Sequence, residues 1–107
     1  EQEAEKLISD AKALAEAGCF SIVLEKVPAK LAAIVTKEIT VPTIGIGAGK
    51  GTDGQILVVA DMLGMTKGFS PRFLRKYADL NSIMTDAIGN YIKDVKSTDF
   101  PSDSESY

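Results

Sequence analysis

The chain has 107 residues, 45% hydrophobic and 25% charged, and its 15 acidic against 12 basic residues leave a net charge of −3. That balance speaks against a nucleic-acid-binding module, whose mark is a basic patch or a pI above about 9, and the apolar content is too high for disorder throughout. Histidine is absent, which excludes His-based triads, His-ligated metals and histidine pH switches.

Apolar residues at three- and four-residue spacing (Ala4, Leu7, Ile8, Ala11, Leu14, Ala15) predict an amphipathic helix over residues 3–17, with Gly18 at its C-terminal cap. The segment is acidic, so it is no signal peptide. It has no N-cap residue and no initiator Met, so the chain reads as beginning inside a helix. No run of about 18 apolar residues predicts a membrane span. The single cysteine, Cys19, cannot pair internally and points to a reducing, cytoplasmic setting.

The apolar run Cys19–Leu24 predicts a strand buried on both faces, as in a parallel sheet, ended by Glu25. Pro28 opens a helix to about Ile39, with Leu31, Ile34, Val35 and Ile39 inward. Residues 41–47 form a second strand, with Pro42 near its start. Thr52-Asp53-Gly54-Gln55 has the pattern of a capping box and predicts a helix from Ile56 to Leu63, with a strand through Ile56–Val59 as the alternative. Gly64 closes this element. Ser70-Pro71 is read as a helix start running to about Tyr77. Ile83–Val95 is read as a further helix with Ile83, Ala87, Ile88, Tyr91, Ile92 and Val95 inward. The tail, Ser97–Tyr107, is polar and acidic. Strands alternating with amphipathic helices predict a parallel α/β sheet. Only two strands are secure, and two parallel strands cannot cover their own edges and faces.

Glu25 is the leading candidate for chemistry. It lies at the C-terminal end of a buried strand, just before a helix, where α/β barrels and open sheets build active sites. Burial there would raise its pKa and suit it to act as a general base. The alternative is a solvent-facing residue paired with Lys26 or Lys30. Gly49-Lys50-Gly51-Thr52-Asp53-Gly54 fits G-x-G-x-x-G but lacks the second strand and acidic residue of a dinucleotide site, and a P-loop pattern fails outright. The glycines are better read as a tight turn over the strand end that admits a close neighbour, or as a wall over a small-molecule site. Lys67, Arg72, Arg75 and Lys76 form a basic cluster, either a solvated face or a contact for an anionic ligand or neighbouring subunit. Asp53 reads as part of a helix start, Asp61 lacks a second carboxylate for a metal site, and Met62, Met65 and Met84 read as core filler.

Three segments carry a specific resemblance: Ile22-Val23-Leu24-Glu25-Lys26-Val27-Pro28, Ile39-Thr40-Val41-Pro42-Thr43-Ile44-Gly45-Ile46-Gly47-Ala48-Gly49, and Asp53-Gly54-Gln55-Ile56-Leu57-Val58. Asp61-Met62-Leu63-Gly64, Tyr77-Ala78-Asp79-Leu80, Phe100-Pro101 and Ser106-Tyr107 extend it to the end of the chain. In order and spacing the sequence resembles the C-terminal portion of the ketopantoate hydroxymethyltransferase family. The resemblance implies the C-terminal part of a (β/α)8 TIM barrel, with residues 1–107 one segment of a single barrel domain whose N-terminal half is absent. It implies a homodecamer and transfer of a hydroxymethyl group from 5,10-methylenetetrahydrofolate to the keto acid 3-methyl-2-oxobutanoate, a step towards pantothenate and coenzyme A. It implies Mg²⁺ on the keto acid, held by upstream ligands with no counterpart here, and it places the general base at Glu25. Two positions depart from the family pattern: Ala60 and Glu105 stand where histidine is frequent.

A barrel of this kind takes about 250 residues, so 107 is read as less than half of one and as inactive alone. A second reading is a non-catalytic α/β module that assembles through its open sheet edges.

Overall fold

The computed structural model describes residues 2–107 as two compact units. The first runs to Leu57 and takes in Arg72–Leu74 as well. It contains helix α1 (Gln2–Glu16), strand β1 (Ile22–Glu25), helix α2 (Ala29–Glu38), strand β2 (Thr43–Ile46) and the two-residue strand β3 (Gly54–Gln55). The strands pair in parallel in the order β1-β2-β3, with Ile22 opposite Thr43, Glu25 opposite Ile46, and Gly45 opposite Gln55. The expected parallel α/β arrangement is therefore present, with one strand more than the sequence secured.

α1 ends as its glycine requires. Gly18 takes φ +96°, its N–H donates to the Ala15 carbonyl at 3.1 Å, and the Cys19 N–H donates to that of Leu14 at 3.2 Å. These two bonds close the last turn and satisfy carbonyls the helix cannot. Ala11 from α1 and Ala32 and Val35 from α2 meet Ile22 and Leu24 of β1, flanked by Leu7, Ile8 and Leu31. Outside this core, Leu14 and Ile34 are exposed, so each helix buries a narrower stripe than its periodicity predicts. An ion pair from Lys12 to Glu38 at 2.7 Å ties the two helices at their solvent edge and holds the Glu38 carboxyl below its ordinary pKa.

The expectation that β1 is buried on both faces is corrected. Burial alternates along it: Ile22 and Leu24 are buried, while Val23 is 55% exposed and Glu25 is exposed. α1 and α2 cover one face of the sheet, and strand side chains alternate between faces. The other face carries Val23, Glu25, Ile44 and Ile46.

The predicted capping box and the helix from Ile56 are also corrected. The Gln55 side chain does not reach back to a helix start. Its amide donates to the Gly49 carbonyl and to Thr52 Oγ1, both at 2.8 Å. The Ile56 N–H donates to the Gly45 carbonyl at 3.0 Å, so sheet pairing has taken the backbone groups that a helix would use. Asp53 serves the sheet as well. Its Oδ2 accepts the Thr43 N–H at 2.8 Å, while its own N–H donates to Thr43 Oγ1 at 3.3 Å. Thr43 is fully buried, and its hydroxyl also meets Thr36 Oγ1 at 2.7 Å. The Thr36 hydroxyl also reaches the Ala32 carbonyl at 2.8 Å, and Thr43 Oγ1 reaches Asp53 Oδ2 at 3.2 Å, so the four groups form one connected network. Thr43→Val removes this buried hydroxyl and takes a partner from both Thr36 Oγ1 and the Asp53 N–H, so it is expected to cost about 1–3 kcal/mol in urea unfolding, with Thr43→Ser close to wild type.

The second unit comprises Val58–Pro71 with Arg75–Tyr107. It contains a one-turn helix, α3 (Val59–Met62), the long helix α4 (Leu80–Ser97) and a terminal 3₁₀ turn at Asp103–Glu105. The predicted helix from Ser70 to Tyr77 does not form. Instead the chain runs back beside α3: the Tyr77 N–H donates to the Met62 carbonyl at 2.8 Å and the Asn81 N–H to that of Gly64 at 3.0 Å. Asp79 caps α4, accepting Ser82 Oγ–H at 2.7 Å and the Ser82 N–H at 3.3 Å, and these bonds lower its carboxyl pKa. The expected inward face of α4 is exposed throughout, Ile83 to 62%, and Ile88, Tyr91, Ile92 and Val95 with it. Periodicity locates an apolar stripe, but one turn of helix and a loop offer too little surface to cover it. Met65 and Met84 are exposed and Met62 is half-buried, so the methionines do not fill a core. Among the described residues no helix is long and apolar enough to cross a membrane.

Candidate functional site

The site candidate is the carboxyl end of β1 and β2. Glu25 is the last residue of β1, and Lys26 follows with φ +54°, a left-handed conformation that a long L side chain adopts rarely. The Lys26 N–H donates to the Ile46 carbonyl at 2.9 Å, so the strand ladder is carried one residue past Glu25 before the chain turns. Val27 precedes Pro28 and is thereby held out of the helical region. Pro28, at φ −52° and ψ 131°, is the N-cap, and its carbonyl accepts the Ala32 N–H at 3.0 Å to start α2.

The expected burial of Glu25 is not found: its side chain is exposed on the open face of the sheet. Neither Lys26 nor Lys30 pairs with it. The ion pairs among the described residues are Lys6 with Asp10 and Lys12 with Glu38. Among the described residues the carboxylate has no ion-pair partner, and it borders the strand ends.

The glycine segment forms the opposite wall. Gly47 and Gly49 take φ +65° and +77°, and Ala48 between them is fully buried. The ring of Phe73 lies where a side chain on Gly47 would project, and Ala29 of α2 lies where one on Gly49 would. The loop thus rests directly on the first turn of α2, and Phe73 rests on the loop. The dinucleotide pattern loses its structural basis, because β3 follows it where a helix N-terminus is needed.

Lys26, Pro28, Gly47, Gly49, Arg72 and Phe73 line a groove of about 610 Å³. Of the basic cluster, Arg72 takes part, while Lys67, Arg75 and Lys76 are not in its lining. No three Asp, Glu or Cys side chains converge to hold a metal among the described residues. Asp53 is engaged by Thr43, and Asp61 sits on α3. Lys26 and Phe73 were not signalled by the sequence. A positive φ at a non-glycine residue leaves no compositional trace, and Phe73 reaches the strand ends from 26 residues beyond Gly47.

Residues 1–103 match the family profile described as ketopantoate hydroxymethyltransferase. The chain belongs to this family. It is 64% identical over 107 residues to the 3-methyl-2-oxobutanoate hydroxymethyltransferase of Phocaeicola vulgatus, covering 100% of this chain and 39% of that protein. It is 68% identical over 107 residues to the protein of the same name from Christiangramia forsetii, with the same coverage of each. For that from Bacteroides fragilis the figures are 64% over 105 residues, 98% of this chain and 38% of the relative. The chain therefore spans about two fifths of the length of these curated relatives. For ketopantoate hydroxymethyltransferases, the matched region takes in Glu25, Lys26, the glycine loop and Phe73 together.

Proposed function

We propose that this chain is the C-terminal portion of a (β/α)8 barrel enzyme that transfers a hydroxymethyl group from 5,10-methylenetetrahydrofolate to 3-methyl-2-oxobutanoate, yielding ketopantoate for pantothenate synthesis. One observation carries the reading: in a chain at least 60% identical to relatives named for this activity, an exposed carboxylate with no ion-pair partner among the described residues stands at the carboxyl end of a parallel strand. That end of the strands is where barrel enzymes place their chemistry. The parallel β1–α2–β2 unit and the apolar open face of the sheet accord with a barrel wall, whose second face is packed from the interior.

In this reading Glu25 accepts the C3 proton of the keto acid. The electron pair left on C3 forms the new bond to the methylene carbon of the folate, and the two carbon–nitrogen bonds of that methylene break. Water supplies the hydroxyl oxygen, and its proton, with the one taken by Glu25, returns to the two folate nitrogens. A Mg²⁺ ion, where bound, would supply Lewis-acid catalysis. The described residues do not form a three-ligand cluster for it, and no step here is assigned through it. The same reading takes the assembled enzyme to be a cytoplasmic homodecamer.

The test is an assay of ketopantoate formation with both substrates. A full-length protein carrying this sequence is expected to be active and the isolated 107-residue chain inactive, since the chain spans about two fifths of the length of its relatives and its described residues form no three-ligand cluster for a metal. Absence of turnover by the full-length protein overturns the activity; turnover by the isolated chain overturns its reading as an incomplete catalyst.

A further inference from the structure

We propose that the groove beside Glu25 binds the glutamyl end of the folate cosubstrate, with Lys26 and Arg72 gripping its carboxylates and Phe73 flanking its benzoyl ring; this deepens the reading of the previous section and rests on it. Four observations converge. The first is size. A groove of about 610 Å³ falls in the ~300–1,000 Å³ range of sites for drug-sized ligands, far more than a five-carbon keto acid fills. The second is charge. In a chain of net charge −3, the groove is lined by two cations and no carboxylate, and neither Lys26 nor Arg72 is in an ion pair among the described residues.

The third is backbone strain. Lys26 holds φ +54°, a conformation that costs energy for a long side chain and is concentrated at ligand clamps and active sites. The strain is fixed by its N–H bond to Ile46 at 2.9 Å, and the side chain borders the groove. The fourth is shape. Phe73 sits against Gly47, half-buried, and offers a ring in the same wall. A folate matches this set: two carboxylates at one end, a flat benzoyl ring in the middle, and the reacting methylene beyond it. Arg suits bidentate carboxylate binding, and Lys acts as a point charge.

The test uses the full-length protein and equilibrium binding of tetrahydrofolate, beside the same measurement with tetrahydropteroate, which lacks the glutamate. Lys26→Asn removes the charge yet tolerates the left-handed backbone, and Arg72→Gln removes the second cation. Each is expected to weaken tetrahydrofolate about 10- to 100-fold, as charge-assisted hydrogen bonds are lost, and to leave tetrahydropteroate within about twofold. The KM for methylenetetrahydrofolate should rise in step while the KM for the keto acid stays. Unchanged tetrahydrofolate affinity in Lys26→Asn, equal losses for both ligands, or a rise confined to the keto-acid KM would overturn the assignment. Should Arg72→Gln not fold, Lys26→Asn decides alone. Wild-type protein that binds tetrahydrofolate through these two residues but makes no ketopantoate would sink the proposed activity and leave the folate subsite standing.

Discussion

Glu25→Gln in the full-length enzyme is expected to lower kcat for ketopantoate formation by about 10²–10⁴, the usual contribution of a positioned general base. The substitution keeps the size and hydrogen-bonding reach of the side chain while removing its capacity to accept a proton. Because the Glu25 side chain is exposed at the strand end and is in no ion pair among the described residues, folding should be unaffected, and substrate KM values should change far less than kcat. Glu25→Asp moves the carboxylate back by one methylene and should retain part of the rate. A Glu25→Gln enzyme within a few-fold of wild type would remove Glu25 from the base role.

The second large effect is on stability. Gly49→Ala is expected to cost about 2–5 kcal/mol, read as a lower urea midpoint with an unchanged slope. Two penalties add. Gly49 holds φ +77°, which costs an L residue about 1–2 kcal/mol. The new methyl would also collide with the Ala29 methyl and come within 3.1 Å of its Cα, and overpacking of this kind costs about 1–3 kcal/mol. The two parts separate in a double-mutant cycle. Ala29→Gly in the Gly49→Ala background relieves the collision and should recover that part alone. Full recovery would show that backbone conformation contributes nothing at this position. No recovery would place the cost in the backbone alone. The position also bears on function, since Ala29 follows Pro28 directly and any retreat of the helix start pulls on Lys26 and Glu25.

The elements that announced themselves in the sequence are those fixed by local physics. The periodic run ending at Gly18 specified both α1 and its glycine stop, and Val27-Pro28 specified where β1 gives way to α2. Glu25 was placed correctly at the strand end from chain order alone. What misled was local pattern outvoted by distant partners. Thr52-Asp53-Gly54-Gln55 has the letters of a capping box, but pairing with Gly45 and the bond from Asp53 to Thr43 drew these residues into the sheet. Ser70-Pro71 looked like a helix start, but the stretch that follows lies beside α3, with the Tyr77 N–H on the Met62 carbonyl. Burial was the least readable property. Val23 and the Ile83–Val95 stripe are apolar by composition yet exposed, because a sequence states which face is apolar and not what lies against it.

The measurement that bears most directly on the central claim is exchange of the C3 hydrogen of 3-methyl-2-oxobutanoate with D₂O, followed by proton NMR on the full-length enzyme without folate. Proton removal is then isolated from carbon–carbon bond formation. Glu25 as the base predicts exchange by the wild-type enzyme and loss of about 10² or more of its rate in Glu25→Gln. Equal exchange by the two enzymes would contradict the account.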